Sequence, residues 1–132
     1  MSIERINPKG MYQPNRNIYT QVVKATGTVQ IHVAGTVPFD ENKNVVGAGD
    51  MKAQVVKILD NIRISLAAAG AKPSDVVRIN VFATDVQAYV TVGSPEVIAF
   101  FGDTKPASTT VEVPRLVHPD WLVEIEATAI LD

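Results

Sequence analysis

The chain has 132 residues and no cysteine, which fits a single domain over 1–132 and excludes disulfides, thiol catalysis and thiolate metal sites. Its net charge is −2 with no run of Lys or Arg, so the basic patch by which nucleic-acid binders neutralise phosphates is missing. No apolar run reaches membrane-spanning length, and the N-terminus, MSIERINPKG, is too polar for a signal peptide; a soluble, cytoplasmic protein without a membrane partner is expected.

Hydrophobic residues make up 46% of the chain and aromatic ones only 6%, so the core must be built from Val, Ile, Leu and Ala. Residues 1–17 are rich in Pro, Asn and Gly and read as irregular, with a short strand at the start. Two strand patterns follow between Ile18 and Ala34. Thr26-Gly27 between them predicts a tight hairpin. Residues 35–49, GTVPFDENKNVVGAG, read as a loop.

Asp50–Ala69 is the clearest helix. Met51, Val55, Ile58, Leu59, Ile62, Leu66 and Ala69 form a stripe at i, i+3 and i+4 spacing. Asp50 is placed to cap its first amides, and Gly70 with Pro73 ends it. Val76–Thr84 is apolar on both faces and predicts a central strand. Val86–Phe101 reads as helical but contains Gly93-Ser94-Pro95. A short piece near 86–92 is expected, then a fresh helix capped by Ser94 with Pro95 at its first position.

Two more strands close the chain, Thr109–Val113 and Leu122–Ile130. In the last one Val123, Ile125, Ala127 and Ala129 share one face, while Leu122, Glu124, Glu126 and Thr128 share the other. The order β-β-α-β-α-β-β predicts an α+β fold, one mixed sheet with two helices on one face. The opposite face then needs a cover: a ligand, loops or another subunit.

Glu124 and Glu126 are either two solvated glutamates or a pair lining a site. Paired carboxylates divide acid and base work when their environments push their pKa values apart. His32 and His118 have no spacing to a serine that would make a nucleophile, and with the scattered acids they give no metal-ligand pattern, so no metal and no cofactor is expected. His32 reads as a packed or interface residue, and Trp121 in the His118-Pro119-Asp120-Trp121 loop as a packing residue. Gly47-Ala48-Gly49 precedes a helix but lacks the rest of a phosphate loop.

Several segments together resemble the reactive-intermediate deaminase (RidA/YjgF) family: IYTQVVKA, VAGTVPFD, AQVVKILDNIRISLAAAGA, DVVRINVFATD, and PASTTVEVPRL with VEIEA. The likeness runs over roughly residues 15–130. It implies a chorismate-mutase-like, ferredoxin-like fold, a homotrimer with ligand clefts between subunits, and cofactor-free hydrolysis of enamines or imines to a 2-oxo acid and ammonia. By that resemblance Glu124 orients or activates water, and Tyr19, the Gly35 backbone, Ser108 and Thr110 contact the substrate.

One departure carries most weight. The family's Pro-Ala-Arg motif, whose arginine forks onto a substrate carboxylate, reads Pro106-Ala107-Ser108 here. Losing such a charged partner costs about 1.5–3 kcal/mol. Arg16 and Arg115 are the candidate substitutes, although Arg115 has a counterpart in arginine-containing relatives. The chain also carries an extra residue near Gly93-Ser94-Pro95 relative to the family pattern. A simple 2-imino acid is therefore not the expected substrate. Two other readings stand beside the hydrolase: a non-catalytic trimer binding a small molecule or partner protein, and RNA cleavage as ascribed to some relatives.

Overall fold

The structure, a computed structural model, describes residues 2–14 and 18–132. Strands β1 (Ser2–Ile6), β2 (Val22–Thr26) and β3 (Val29–Thr36) come first, then helix α1 (Met51–Ala68). A 3₁₀ turn (Pro73–Asp75) leads into β4 (Val76–Ala83). Helix α2 (Val86–Ala88), a π-helical turn (Tyr89–Gly93) and helix α3 (Ser94–Phe101) follow without a gap, and β5 (Ala107–Glu112) and β6 (Val123–Leu131) close the chain.

The main sheet has the order β3-β6-β4-β5, with β4 and β5 parallel and the other pairs antiparallel. Strand β4 is interior in the sheet, but only one face is apolar: Val76, Ile79, Val81 and Ala83 are buried, while Arg78 and Asn80 stand on the other face, which corrects the expected two-sided apolar strand. The hairpin expected at Thr26-Gly27 does not form: β2 pairs with β1 as a separate two-stranded ribbon, and β3 pairs with β6 instead. Both β3 and β2 are strand formers, and the choice of partner is a long-range one. Val29–Val33 takes the edge of β6 from Leu131 to Ala127, which brings Ile31 and Val33 over the core.

Helix α1 begins where its sequence predicts. The Ala53 amide donates to Asp50 Oδ1 at 3.0 Å. Val55, Ile58, Ile62 and Leu66 are fully buried and meet Val76, Val81, Val123 and Ile125 from the sheet in one core. Each such side chain contributes about 1.5–3 kcal/mol of burial.

The second helical region corrects the expected break. Ser94 is not a cap: it lies inside the helix at φ −61°, ψ −33°, its amide reaches back to the Tyr89 carbonyl, and its hydroxyl donates to the Val90 carbonyl at 2.9 Å. The extra residue is wound into one wide π turn, which keeps the helix continuous. Gly93 makes this possible. A Cβ there would sit 2.9 Å from Tyr89 Cδ1 and 3.0 Å from Val55 Cγ2, so only glycine lets the turn close on α1.

Both helices lie on one face of the main sheet. Its other face displays Gln30 and His32 from β3, Glu124, Glu126 and Thr128 from β6, Arg78, Asn80 and Phe82 from β4, and Thr109 from β5. Arg78 donates to Asn80 Oδ1 at 3.0 Å and to Thr109 Oγ1 at 2.6 Å, and Asn80 donates to Glu126 Oε1 at 2.9 Å. This array is polar and half exposed, with Arg115, Leu116 and Val117 bordering one end of it. Among the described residues no helix is long and apolar enough to cross a membrane.

Candidate functional site

The predicted site residues fall into two groups. Tyr19, Ser108 and Thr110 line one cleft of about 360 Å³ at the β5 edge, under the π turn and α3. Register fixes their direction: Ser108 pairs with Ile79 and Thr110 with Val81, both core-facing, so the two hydroxyls point to the helix side. Tyr19 arrives there because the ribbon is tied to the start of β5. The Thr20 amide donates to the Pro106 carbonyl at 3.1 Å and its hydroxyl to the Lys105 carbonyl at 2.6 Å. Arg5 on β1 adds bonds to the Lys105 and Ser74 carbonyls.

Glu124 and Gly35 form the second group. Glu124 pairs with Phe82 and faces the opposite side of the sheet from Ser108. It lines a shallow hollow of about 500 Å³ with Phe82, Arg115, Leu116, Val117 and Glu126. The β3–β6 ladder shifts register between Val33 and Thr36, and Gly35 sits in that irregularity against the carboxylate. A Cβ on Gly35 would fall 2.0 Å from Glu124 Oε2.

The two glutamates are not equivalent. Glu126 accepts the Asn80 bond. Glu124 meets no hydrogen-bond or ion-pair partner among the described residues, and its pKa is raised, first by burial and then by repulsion from Glu126. Arg115 borders the same hollow, but its guanidinium is turned onto its own loop, donating to the Leu116 and Val117 carbonyls at 3.2 and 3.4 Å. Arg16 lies outside the described residues.

Other residues sequence reasoning had singled out are placed plainly. His32 is exposed on the open sheet face, 3.3 Å from Gln30 Oε1 and 3.5 Å from the Thr128 hydroxyl. Trp121 packs edge-on against Phe39 with ring centroids 5.0 Å apart and stacks on His118. Among the described residues no group of three His, Asp or Glu is placed to hold a metal ion. A wider groove, about 780 Å³ between α1 and α3, contains none of the predicted residues.

Sequence reasoning missed Tyr89 and Gln54. Tyr89 lines the Ser108 cleft from within the core. Its signal was an aromatic on the apolar side of a helix that also carries a hydroxyl. Gln54 is fully buried within the apolar stripe of α1, where a long amide must have partners. It donates to the Gly47 and Asp120 carbonyls at 3.1 and 2.8 Å and accepts from the Leu122 amide at 2.8 Å, fastening the loop that leads into β6.

The described residues form a two-helix α+β fold with a mixed sheet and a carboxylate set against a glycine. Residues 12–131 match the family model described as endoribonuclease L-PSP. A RutC family protein of Pyrococcus horikoshii is 38% identical over 112 residues, covering 84% of this chain and 85% of that protein. The solved structure of YyfB, a conserved Rid family protein of Yersinia pestis, superposes with a TM-score of 0.91 at 34% identity over 99% of this chain and 100% of that one. RidA from an Antarctic Psychrobacter gives a TM-score of 0.69 at 30% identity over 86% and 88% of the two chains. The chain belongs to the RidA/YjgF (Rid) family.

The contact between Gly35 and Glu124 yields a sharp expectation. The colliding atom is the end of a flexible side chain, so Gly35→Ala displaces the carboxylate rather than the backbone. The variant should retain its thermal midpoint within ~2 °C yet lose about 10²-fold in any Glu124-dependent rate, since misplacement by about 1 Å costs that much. A large drop in melting temperature with full specific activity would contradict this.

Proposed function

We propose that the protein hydrolyses the C=N bond of a small imine or enamine tautomer, with Glu124 as the residue that orients and deprotonates water. The single observation that carries this reading is the Glu124 carboxylate: raised in proton affinity, without a partner among the described residues, seated against Gly35 and lining an open hollow. Water adds to the carbon of the N-protonated imine and gives a proton to Glu124, leaving a neutral carbinolamine. Its nitrogen takes that proton, the oxygen lone pair expels ammonia as the C–N bond breaks, and the hydroxyl proton passes to the Glu124 carboxylate or solvent as the carbonyl forms. No metal and no cofactor enters these steps.

Ser108 and Glu124 lie on opposite faces of one subunit's sheet, so no ligand touches both within a subunit. A homotrimer resolves this: a second copy laid on the open face brings its helix-side cleft towards Glu124, so that Tyr19, Ser108 and Thr110 of one copy and Gly35 and Glu124 of another form one site. The half-exposed polar array of Arg78, Asn80 and Glu126 supports such a cover. Size measurement by light scattering should return about three times the subunit mass. Purified protein should accelerate ammonia release from imines generated in situ, and unchanged decay of 2-iminobutyrate together with that of uncharged imines would reject the hydrolase.

RNA cleavage is the reading suggested by the family model's description. The net charge of −2, and the engagement of Arg78 by Asn80 and Thr109, speak against it. Intact RNA after incubation is expected.

A further inference from the structure

Tyr89 is only 4% exposed, belongs to the hydrophobic core cluster and lines the Ser108 cleft. Its hydroxyl has no partner among the described residues. Burial pushes its ionisation far above the ordinary tyrosine value, so it remains a hydrogen-bond donor at any working pH. The hydroxyl is not sealed from solvent: it opens to the cleft, where its O–H can donate to a ligand. The π turn holds this one in place. Gly93 lets the turn close beside the Tyr89 ring, with no Cβ to push the ring away from its seat.

The rest of the cleft has one chemical character. Ile79, Val97, Ile98 and Phe101 supply apolar walls, and Ser108 and Thr110 supply two more hydroxyls. Among the described residues lining it, none is charged. Arg78 on the adjacent strand points to the other side of the sheet, where Asn80 and Thr109 occupy it. A carboxylate entering this cleft gives up its water and meets no cation among the described residues lining it, whereas an uncharged group meets hydroxyl donors and loses little.

We propose that this cleft selects an uncharged small ligand, an imine bearing an amide or ketone group or the carbonyl product of one, and that the Tyr89 hydroxyl is a specificity-determining donor to it. The proposal rests on the cleft being the ligand site of the hydrolase described above. Tyr89 and Ser108 hold the ligand's carbonyl oxygen, and the apolar wall takes its alkyl end.

Calorimetry and ligand-observed NMR with a matched pair, 2-oxobutanamide and 2-oxobutyrate, test it on the full chain. The amide should bind at least tenfold more tightly than the carboxylate, and Ser108→Arg should reverse that order. Tyr89→Phe should weaken amide binding about 3- to 30-fold, the loss of one hydrogen bond to a ligand, without lowering the thermal midpoint. Equal or tighter carboxylate binding, no binding of either probe at millimolar concentration, or an unchanged amide affinity in Tyr89→Phe overturns the proposal. The underlying reading fails separately. Amide preference without imine turnover sinks the hydrolase and keeps the cleft chemistry, while Glu124-dependent turnover of 2-iminobutyrate with no amide preference does the reverse.

Discussion

Glu124→Gln should abolish most imine hydrolysis, by about 10²- to 10⁴-fold, while leaving the protein folded. Gln keeps the shape and the fit against Gly35 but cannot take a proton. The sign of the stability effect follows from the direction of the pKa shift. Glu124 binds its proton more tightly in the folded chain, because burial and then the charge on Glu126 disfavour the ionised form. Its contribution to stability is therefore fully present below the unfolded carboxyl value and is lost as pH rises through the folded one. At neutral pH the charged group costs stability, so the Gln variant should unfold at the same or a higher denaturant concentration than the parent. The rate should rise with pH along an acid limb displaced above the ordinary glutamate range. Glu126→Gln removes the like charge and should move that limb to lower pH. A Glu124→Gln protein with near-parental rate, or a limb that moves upward in Glu126→Gln, rejects this assignment.

Gln54→Leu should cost about 3 kcal/mol of stability, or roughly 10 °C in thermal midpoint for a chain of this size. Leu fills nearly the same volume on the buried face of α1, so the loss is not a cavity effect. It comes from the Asp120 carbonyl and the Leu122 amide, which lose their Gln54 partner in a part-buried setting, while the Gly47 carbonyl loses one of two bonds and keeps the Asp50 amide. These three groups hold the loop before α1 and the entry to β6, two residues before Glu124. The same variant should therefore also lower turnover, through a less fixed Glu124, and Gln54→Glu should not rescue it. Equilibrium urea unfolding and steady-state rates measure both effects. A stability change under 1 kcal/mol means these backbone groups find other partners.

Much of the architecture was legible locally. The α1 stripe names its own core face, and Asp50 caps it as its sequence position predicts. The alternation of β6 separates Val123, Ile125, Ala127 and Ala129, all buried, from Glu124, Glu126 and Thr128. The failures have a common cause. Thr26-Gly27 carries turn chemistry, but β2 and β3 each had a better partner elsewhere, in β1 and β6. Gly93-Ser94-Pro95 carries the signature of a helix start, yet packing against α1 kept the helix running and stored the extra residue as a π turn. The expectation that Ser108 and Glu124 share a ligand is one of a cleft between subunits and is not among these failures; within one subunit strand register turns the two side chains to opposite faces.

The sequence by itself determined the fold class, the family, the two faces of β6 and the missing arginine at Ser108, since each is written in local side-chain pattern. Tertiary structure alone decided which strands pair, how Gly35 presses on Glu124, that Gln54 ties three backbone groups, and that Tyr89 lines a cleft with no charged residue among the described residues around it. Those are non-local facts. They depend on which distant segment wins an edge or a buried seat, and hydrophobic burial and hydrogen-bond satisfaction settle that only when the whole chain is packed.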